Sequence, residues 1–320
     1  MDRSGAVAAL TAAVDQFCRH HAVDVPGWCV ALSGGADSLA LTAVAARLRP
    51  TTALIVDHRL QAGSDRVAHT ARDQALALGC VAVQVLTVEV GRDGGLEAAA
   101  RTARYEALRK ARGDAPVLLA HTLDDQAETV LLGLGRGSGP RSIAGMRPYD
   151  PPWCRPLLEV RRAVTHAACA ELGLTPWQDP HNTDRRFTRV RLRTEVLPLL
   201  EDVLGGGVAE ALARTAAALR EDTDCLDRLA DAVRAEASTD AGLDVRRLET
   251  LDPALRRRVL RGWLLAGGAT DLTDKQIRAV DALITAWRGQ GGVAVGSRLA
   301  RTRLFARRSG GRLTLHTEPV

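Results

Sequence analysis

The sequence predicts an α/β protein: a doubly wound parallel sheet followed by a second, smaller, mainly helical α+β domain. Three observations carry this. From residue 28 to about 120, short continuous apolar runs alternate with segments of helical periodicity, the pattern of buried parallel strands joined by crossover helices. Three of those runs end in polar residues able to do chemistry: Ser33-Gly34-Gly35, Asp57-His58 and His121. After Gly205-Gly206-Gly207 the pattern changes to long helices and then to short strands.

In order, residues 5–21 read as a helix with Val7, Leu10, Val14 and Phe17 on one face. The first strand is 28–32, and the helix after its loop covers 38–48. A strand at 52–56, a helix at 64–79 stopped by Gly79, and a strand at 81–88 follow. An Ala-rich helix over 96–112 leads to the fourth strand, 117–120. Ligands of such sheets sit beyond the strand C-termini, so topology alone brings the Ser33 loop, Asp57 and His121 together. A helix starting by residue 121 sets His121, Asp125 and Glu128 along one face. The Gly- and Pro-rich stretch 136–158 reads as a surface loop, 161–173 as a helix, and 177–184 as turns.

The three glycines from 205 divide the chain into domains at 1–204 and 205–320. Residues 208–235 form an amphipathic helix with Leu212, Leu219, Leu226 and Leu229 as its apolar side. Two or three helices fill 243–288. Short strands fall at 293–295, 303–306 and 313–315, with a hairpin turn at Ser309-Gly310-Gly311.

Composition narrows the function classes. Hydrophobic residues make up 46%, and no window approaches the ~20 uninterrupted apolar residues of a membrane span. Met1-Asp2-Arg3-Ser4-Gly5 opens no secretion-type apolar core, so the expected location is the cytoplasm. The six cysteines are scattered without a C-x-x-C pair, which leaves a zinc or iron–sulfur knuckle without support. Net charge is +5, and only Lys110 and Lys275 are lysines. Arginines gather at 185–193, 246–261 and 298–312. Arg makes bidentate contacts to phosphate and stacks on bases, so a polyanionic partner is expected.

Two stretches carry the chemistry. In the first, Ser33-Gly34-Gly35-Ala36-Asp37-Ser38 joins a strand to a helix N-terminus, where free N–H groups and the helix dipole suit a phosphate. The glycines allow close backbone approach, and the serines add hydroxyl donors. Asp37 would repel a phosphate unless the two share a metal ion. The loop lacks the Gly-Lys-Ser/Thr of a Walker P-loop. In the second, His121-Thr122-Leu123-Asp124-Asp125-Gln126-Ala127-Glu128 places four titratable groups at the rim of the sheet. An acidic helix cap accounts for Asp124 and Asp125 but not for His121 or Glu128.

The first stretch resembles the SGGxDS loop of the N-type ATP pyrophosphatases, with their adenine nucleotide alpha hydrolase-like, Rossmann-like fold. The second, with Arg136-Gly137-Ser138-Gly139 after it, resembles the signature of tRNA(Ile)-lysidine synthetases. Val56-Asp57-His58, Glu97–Tyr105, Arg155-Pro156-Leu157-Leu158 and Asp179-Pro180-His181-Asn182 match that family in order and spacing. The likeness is strong over 28–205 and weaker beyond, and the chain resembles the family's short form. Val190 stands between Arg189 and Arg191 where the family usually has Asn.

The resemblance implies a reaction. ATP adenylates the C2 carbonyl oxygen of the wobble cytidine in an isoleucine tRNA with a CAU anticodon, and the ε-amine of free lysine then displaces AMP. It implies ATP contacts from Ser33, Gly34, Gly35, Ala36, Asp37, Ser38, Asp57 and His58, with Mg2+ held by Asp37. Asp125 and Glu128 are the candidates for holding the lysine ammonium, His121 for proton transfer or phosphate contact, and Arg101 for a phosphate clamp. Arg185, Arg186, Arg189, Arg191, Arg193, Arg301 and Arg303 are the candidates for tRNA contact, and a homodimer is the implied assembly. Two other readings stay open. One is a sulfur-inserting or amidating tRNA enzyme on the same ATP loop, whose 2-thiocytidine members need paired cysteines. The other is a non-catalytic nucleotide- or RNA-binding module, since fold alone does not give function.

Overall fold

The structure, a computed structural model, describes residues 5–59, 63–91, 95–137, 139–299 and 301–319. The N-terminal residues Met1–Ser4, Ser138 of the 136–139 run and the Glu97 side chain lie outside the described residues. The chain forms two compact units. One holds residues up to Leu132 and Gly145–Thr215; the other holds Gly133–Ala144 and the chain from Ala216 onward.

The first unit runs α1 (Ala6–His20), β1 (Trp28–Ala31), α2 (Ala36–Leu48), β2 (Thr51–Asp57), α3 (Ser64–Ala77), β3 (Ala82–Thr87), α4 (Leu96–Ala111), β4 (Val117–Leu118) and α5 (Leu123–Arg136). After α6 (Pro140–Ile143), which belongs to the second unit, come β5 (Tyr149–Asp150), β6 (Trp153–Cys154) and α7 (Arg162–Glu171). The strand order is β3-β2-β1-β4-β6-β5, parallel except for the antiparallel pair β5 and β6. Successive strand residues serve opposite faces. Val30, Ala53, Ile55, Leu118 and Cys154 pack with α1, α2, α3 and α7. Cys29, Leu54, Val117 and Trp153 pack with Tyr105 and Leu108 of α4. Burial on both faces is why these strands read as continuous apolar runs, and the doubly wound expectation holds.

Two local expectations are overturned. The helix expected from residue 121 begins at Leu123, because Thr122 caps it. The Thr122 N–H donates to the Asp125 carboxylate at 2.8 Å, and the Asp125 N–H to the Thr122 hydroxyl at 3.4 Å, a capping box with Asp in place of Glu. His121 therefore sits before the helix, in the loop after β4. The stretch 136–158 is not a surface loop: it supplies α6, β5 and β6, and Trp153, Cys154, Arg155, Leu157 and Leu158 are buried. β6 is too short to show a strand period, yet pairing with β4 buries it.

A 3₁₀ turn (Pro180–Thr183), α8 (Thr188–Arg191), a π-helical turn (Leu192–Val196) and α9 (Leu197–Val203) lead to α10 (Val208–Ala237). The first unit's chain ends inside α10, at Thr215. Ala216, Thr223, Ala230 and Ala237 are buried along one stripe, with Leu212, Leu219 and Leu226 half-buried beside them on the same face; of the four leucines expected there, Leu229 alone is exposed.

The second unit continues with β7 (Ser238–Thr239), β8 (Gly242–Asp244), α11 (Val245–Glu249), α12 (Pro253–Ala266), β9 (Ala269–Thr270), α13 (Asp274–Thr285), β10 (Val293–Ser297), β11 (Thr302–Ser309) and β12 (Arg312–Pro319). Its sheet is antiparallel, in the order β7-β8-β12-β11-β10-β9. Gly310 and Gly311 close the β11–β12 hairpin with φ of +56° and +76°, a turn that needs two left-handed residues. The core joins Leu304, Ala306 and Leu313 to Leu260, Leu264, Val280 and Leu283 of α12 and α13.

Candidate active site

The site begins at the C-terminal end of β1. Gly34 has φ of +84°, a conformation glycine adopts without strain. Its carbonyl accepts the Trp177 N–H at 2.9 Å. Gly35 caps α2, and Ala36 is the first helical residue. The Ser38 hydroxyl accepts the Ser33 N–H at 3.2 Å, donates to the Gly35 carbonyl at 2.9 Å and lies 3.1 Å from the Ser33 hydroxyl. Ser38 thus fastens the loop from within. The first-turn N–H groups of α2 have no intrahelical acceptor, which leaves them for an anion. An open cavity of about 720 Å³ adjoins Gly34, lined also by Arg66, Thr70, Gln74, Trp177 and Gln178, and its size suits a nucleotide-sized ligand.

The neighbouring strand ends supply Asp57 and His121. Asp57 is buried, and its carboxylate accepts the Arg59 N–H at 2.9 Å. Burial lowers the His58 pKa, with Arg104 adding to the effect and Asp57 opposing it. Burial also drives His121 down to about 3; Asp125 opposes this, while Arg155, Arg104 and Arg101 reinforce it. At neutral pH His121 is therefore an uncharged imidazole. Arg101 lies 5.0 Å from the centre of the Tyr105 ring, and that stacking is its described contact.

The acids behave as one assembly, and its centre is a residue sequence reasoning missed. Arg162 opens α7. Its Nη2 donates to Asp125 at 2.6 Å, its Nε lies 3.4 Å from Asp37, and its Nη1 lies 3.5 Å from Glu128. Its backbone N–H donates to Asp124 at 2.7 Å. Thr165, one turn on, donates to the other Asp37 oxygen. Burial raises the Asp37 pKa, with Thr165 and Arg162 pulling against it. For Asp125 burial also works against ionisation, but Arg162, the Thr122 N–H and His121 outweigh it, and its pKa is lowered. The sequence did hold a signal for Arg162: two arginines at a helix start oppose the helix dipole and call for compensating acids.

Glu128 has no exposed side-chain surface. Arg193 donates to it at 2.8 and 3.3 Å, and Arg189 lies 3.7 Å away. Arg185 and Arg191 both bond Glu195, and Arg186 bonds Asp184. The arginine run 185–193 is thus paired throughout, by its flanking acids Asp184 and Glu195 and by the distant Glu128. In the second unit, Arg303 and Arg307 alternate with buried Leu304 and Ala306 on β11, so both arginines are exposed; Arg301 is exposed as well.

Asp37, Asp57, His58 and His121 lie at or just beyond strand C-termini around the loop, and Asp37, Asp125 and Glu128 meet through Arg162. Arg301 and Arg303 belong to the other unit. A nucleotide-phosphate loop beside an acid–arginine cluster on a doubly wound sheet defines an ATP-pyrophosphatase type of site. A PP-loop domain family matches residues 8–200, and a substrate-binding domain named TilS matches 243–314. The chain is 72% identical over its full length to the full-length tRNA(Ile)-lysidine synthase of Mycolicibacterium paratuberculosis, and 71% identical, again over both full lengths, to that of Mycobacterium tuberculosis H37Rv. The chain belongs to the tRNA(Ile)-lysidine synthase family. Among solved structures, a U34-tRNA thiolase from Methanococcus maripaludis, solved with its [4Fe-4S] cluster, is similar at TM-score 0.55 and 15% identity, covering 68% of this chain and 80% of that one. That likeness concerns the fold alone.

Proposed function

We propose that this chain converts the wobble cytidine of an isoleucine tRNA bearing CAU to lysidine. The cytidine O2 attacks the α-phosphate of ATP and pyrophosphate leaves; the lysine ε-amine then attacks C2, AMP leaves and a proton is released. The observation that carries the reading is the junction at Arg162, where the helix of the phosphate loop, through Asp37, meets the acidic helix, through Asp125. Adenylation and amine attack need those two groups side by side.

The first-turn N–H groups of α2 face the charge that builds on the phosphates. Asp37 beside them offers one partly exposed carboxylate, which fits Mg2+, an ion that takes one or two carboxylates together with phosphate oxygens. Bound there, the ion neutralises phosphate charge. Free lysine, with a side-chain pKa of about 10.4, must lose a proton before it attacks. Asp125, kept ionised, holds the ammonium. The uncharged His121, too weakly basic at a pKa of about 3 to take the ammonium proton, offers a hydrogen bond and does not serve as a phosphate-neutralising cation. Glu128, sealed under arginines, anchors the 185–193 segment to α5. Residues 1–204 do the chemistry, and 205–320, with Arg301 and Arg303 exposed, grip the tRNA. The reading places the protein in the cytoplasm with tRNA and takes it as a homodimer, which sedimentation checks.

The test is transfer of labelled lysine to a CAU-bearing isoleucine tRNA transcript with ATP and magnesium. Label should enter RNA only with ATP, and a transcript with another first anticodon base should stay unlabelled. Pyrophosphate release without lysine transfer would return the sulfur or ammonia readings, and the absence of both pyrophosphate release and lysine transfer would overturn the enzyme assignment.

A further inference from the structure

We infer that Arg162 occupies the ammonium-binding position of the carboxylate cluster in the free protein, so that lysine binds only after a nucleotide has drawn this guanidinium away. The inference rests on the lysine-transfer reading above. It starts from the state of the carboxylates. Asp37 gives one oxygen to Thr165 and the other to Arg162. Asp125 gives one oxygen to Arg162 and the other to the Thr122 N–H and hydroxyl. Glu128 is sealed from solvent beneath Arg193 and Arg162. Of the three carboxylates that the Arg162 guanidinium meets, Asp37 and Asp125 keep exposed surface, 26% and 17% of their side chains, and Glu128 keeps none. Of these three they are the two an incoming amine can reach, and Arg162 already bridges them.

An ammonium entering this spot has no open carboxylate oxygen among these contacts. It must displace Arg162, and a displaced guanidinium stays charged at any working pH and needs another anion. Asp37, one of its three partners, sits in the first turn of the helix at the phosphate loop. A triphosphate bound there brings new anionic oxygens next to the guanidinium, and planar bidentate contact with phosphate suits Arg. Nucleotide binding thus offers Arg162 a partner and frees Asp125 for lysine. The two ligands are coupled, and the coupling is reciprocal by linkage. Lysine is thereby kept out until there is an adenylate to attack.

The experiment is equilibrium dialysis of the full chain against labelled L-lysine with magnesium, with and without α,β-methylene ATP, which cannot release pyrophosphate. In the unmodified protein the analogue should tighten lysine binding tenfold or more, and lysine should tighten the analogue by the same factor. Arg162→Gln should bind lysine without nucleotide at least tenfold tighter than the unmodified protein does, and the analogue should then add less than threefold. Should Arg162→Gln fail to fold, Arg162→Lys carries the test: a single ammonium cannot span Asp37, Asp125 and Glu128, so nucleotide-free lysine binding still rises, by less. Equal lysine affinity with and without the analogue in the unmodified protein, an unchanged coupling in the variants, or no lysine binding in any of them would overturn the inference. Failure of the enzymatic reading shows separately, as absence of lysine transfer to tRNA by the unmodified protein.

Discussion

Glu128 offers the sharpest test of how the site is held together. In Glu128→Ala a carboxylate with no exposed surface disappears, and Arg193, Arg162 and Arg189 lose a partner at 2.8, 3.5 and 3.7 Å. Removing one member of a buried ion pair costs about 3–5 kcal/mol, because the other is left charged and dehydrated. Here the three side chains are 32%, 17% and 37% exposed, and Arg162 keeps Asp37 and Asp125 as partners. Water takes up part of the loss, so the low end, about 3 kcal/mol, is expected. That is a large share of the roughly 5–15 kcal/mol that holds a domain folded. Glu128→Gln keeps one acceptor oxygen and should lose about half as much. Urea unfolding read by tryptophan fluorescence measures this. Trp263 and Trp287 belong to the second unit, so a W263F/W287F background leaves Trp28, Trp153 and Trp177 reporting on the first. With a slope of about 2 kcal/mol per molar urea, the Ala variant's midpoint should fall by about 1.5 M. The exposed acid Glu195, paired with Arg185 and Arg191, is the control, and its alanine variant should lose less than about 1 kcal/mol. A loss below about 1 kcal/mol in Glu128→Ala would refute the view of Glu128 as a buried anchor.

Three further outcomes follow from the same geometry. The His121 pKa is lowered to about 3 in the folded state against about 6.5 unfolded, so the unfolded chain takes up the proton first. Its stabilising contribution is complete above about pH 6.5 and is lost as pH falls, by about 1.4 kcal/mol per unit down toward the folded pKa. Urea midpoints at pH 7, 6 and 5 should show that slope, and His121→Asn should flatten it. Gly34→Ala forces a non-glycine residue to φ of +84°, although the added Cβ meets nothing nearer than Ala71 at 3.6 Å. Strain of about 1–2 kcal/mol is expected, and tRNA-dependent pyrophosphate release should drop roughly a hundredfold as the loop donors move, the scale of losing one oxyanion donor; unchanged release would detach the loop from phosphate. Replacing Arg303 and Arg307 on β11 with alanine should weaken tRNA binding and lower the slope of log affinity against log salt by about one to two, the signature of two lost phosphate contacts. A filter-binding titration at four salt concentrations measures it, and an unchanged slope would remove β11 from the RNA interface.

What the sequence made legible, and what it hid, follows from the reach of each interaction. The phosphate loop could be read because its requirements are local: an apolar strand, two glycines for backbone approach, and a helix start within a few residues. The β11–β12 turn was legible for the same reason, since two glycines supply its left-handed backbone. The start of α5 was misplaced by two residues, yet Thr122 and Asp125 at capping-box spacing were there to be read. In the arginine run 185–193, Asp184 and Glu195 are local partners of Arg185, Arg186 and Arg191, but a local count of charges cannot see Glu128, the partner of Arg189 and Arg193, which lies 65 residues from Arg193. Arg162 lay furthest from view, 125 residues from Asp37; no window spans that distance. Its trace is a broken rule, two cations at the N-terminus of a helix whose dipole repels them. Such violations persist where another part of the chain compensates, and that compensation concentrates at functional sites. The acids that compensate here are the ones the chemistry requires, so the misfit at α7 and the carboxylates on α5 are two ends of one arrangement. A local rule broken at the edge of a sheet that already carries a phosphate loop is therefore itself a sign of where the reacting groups meet.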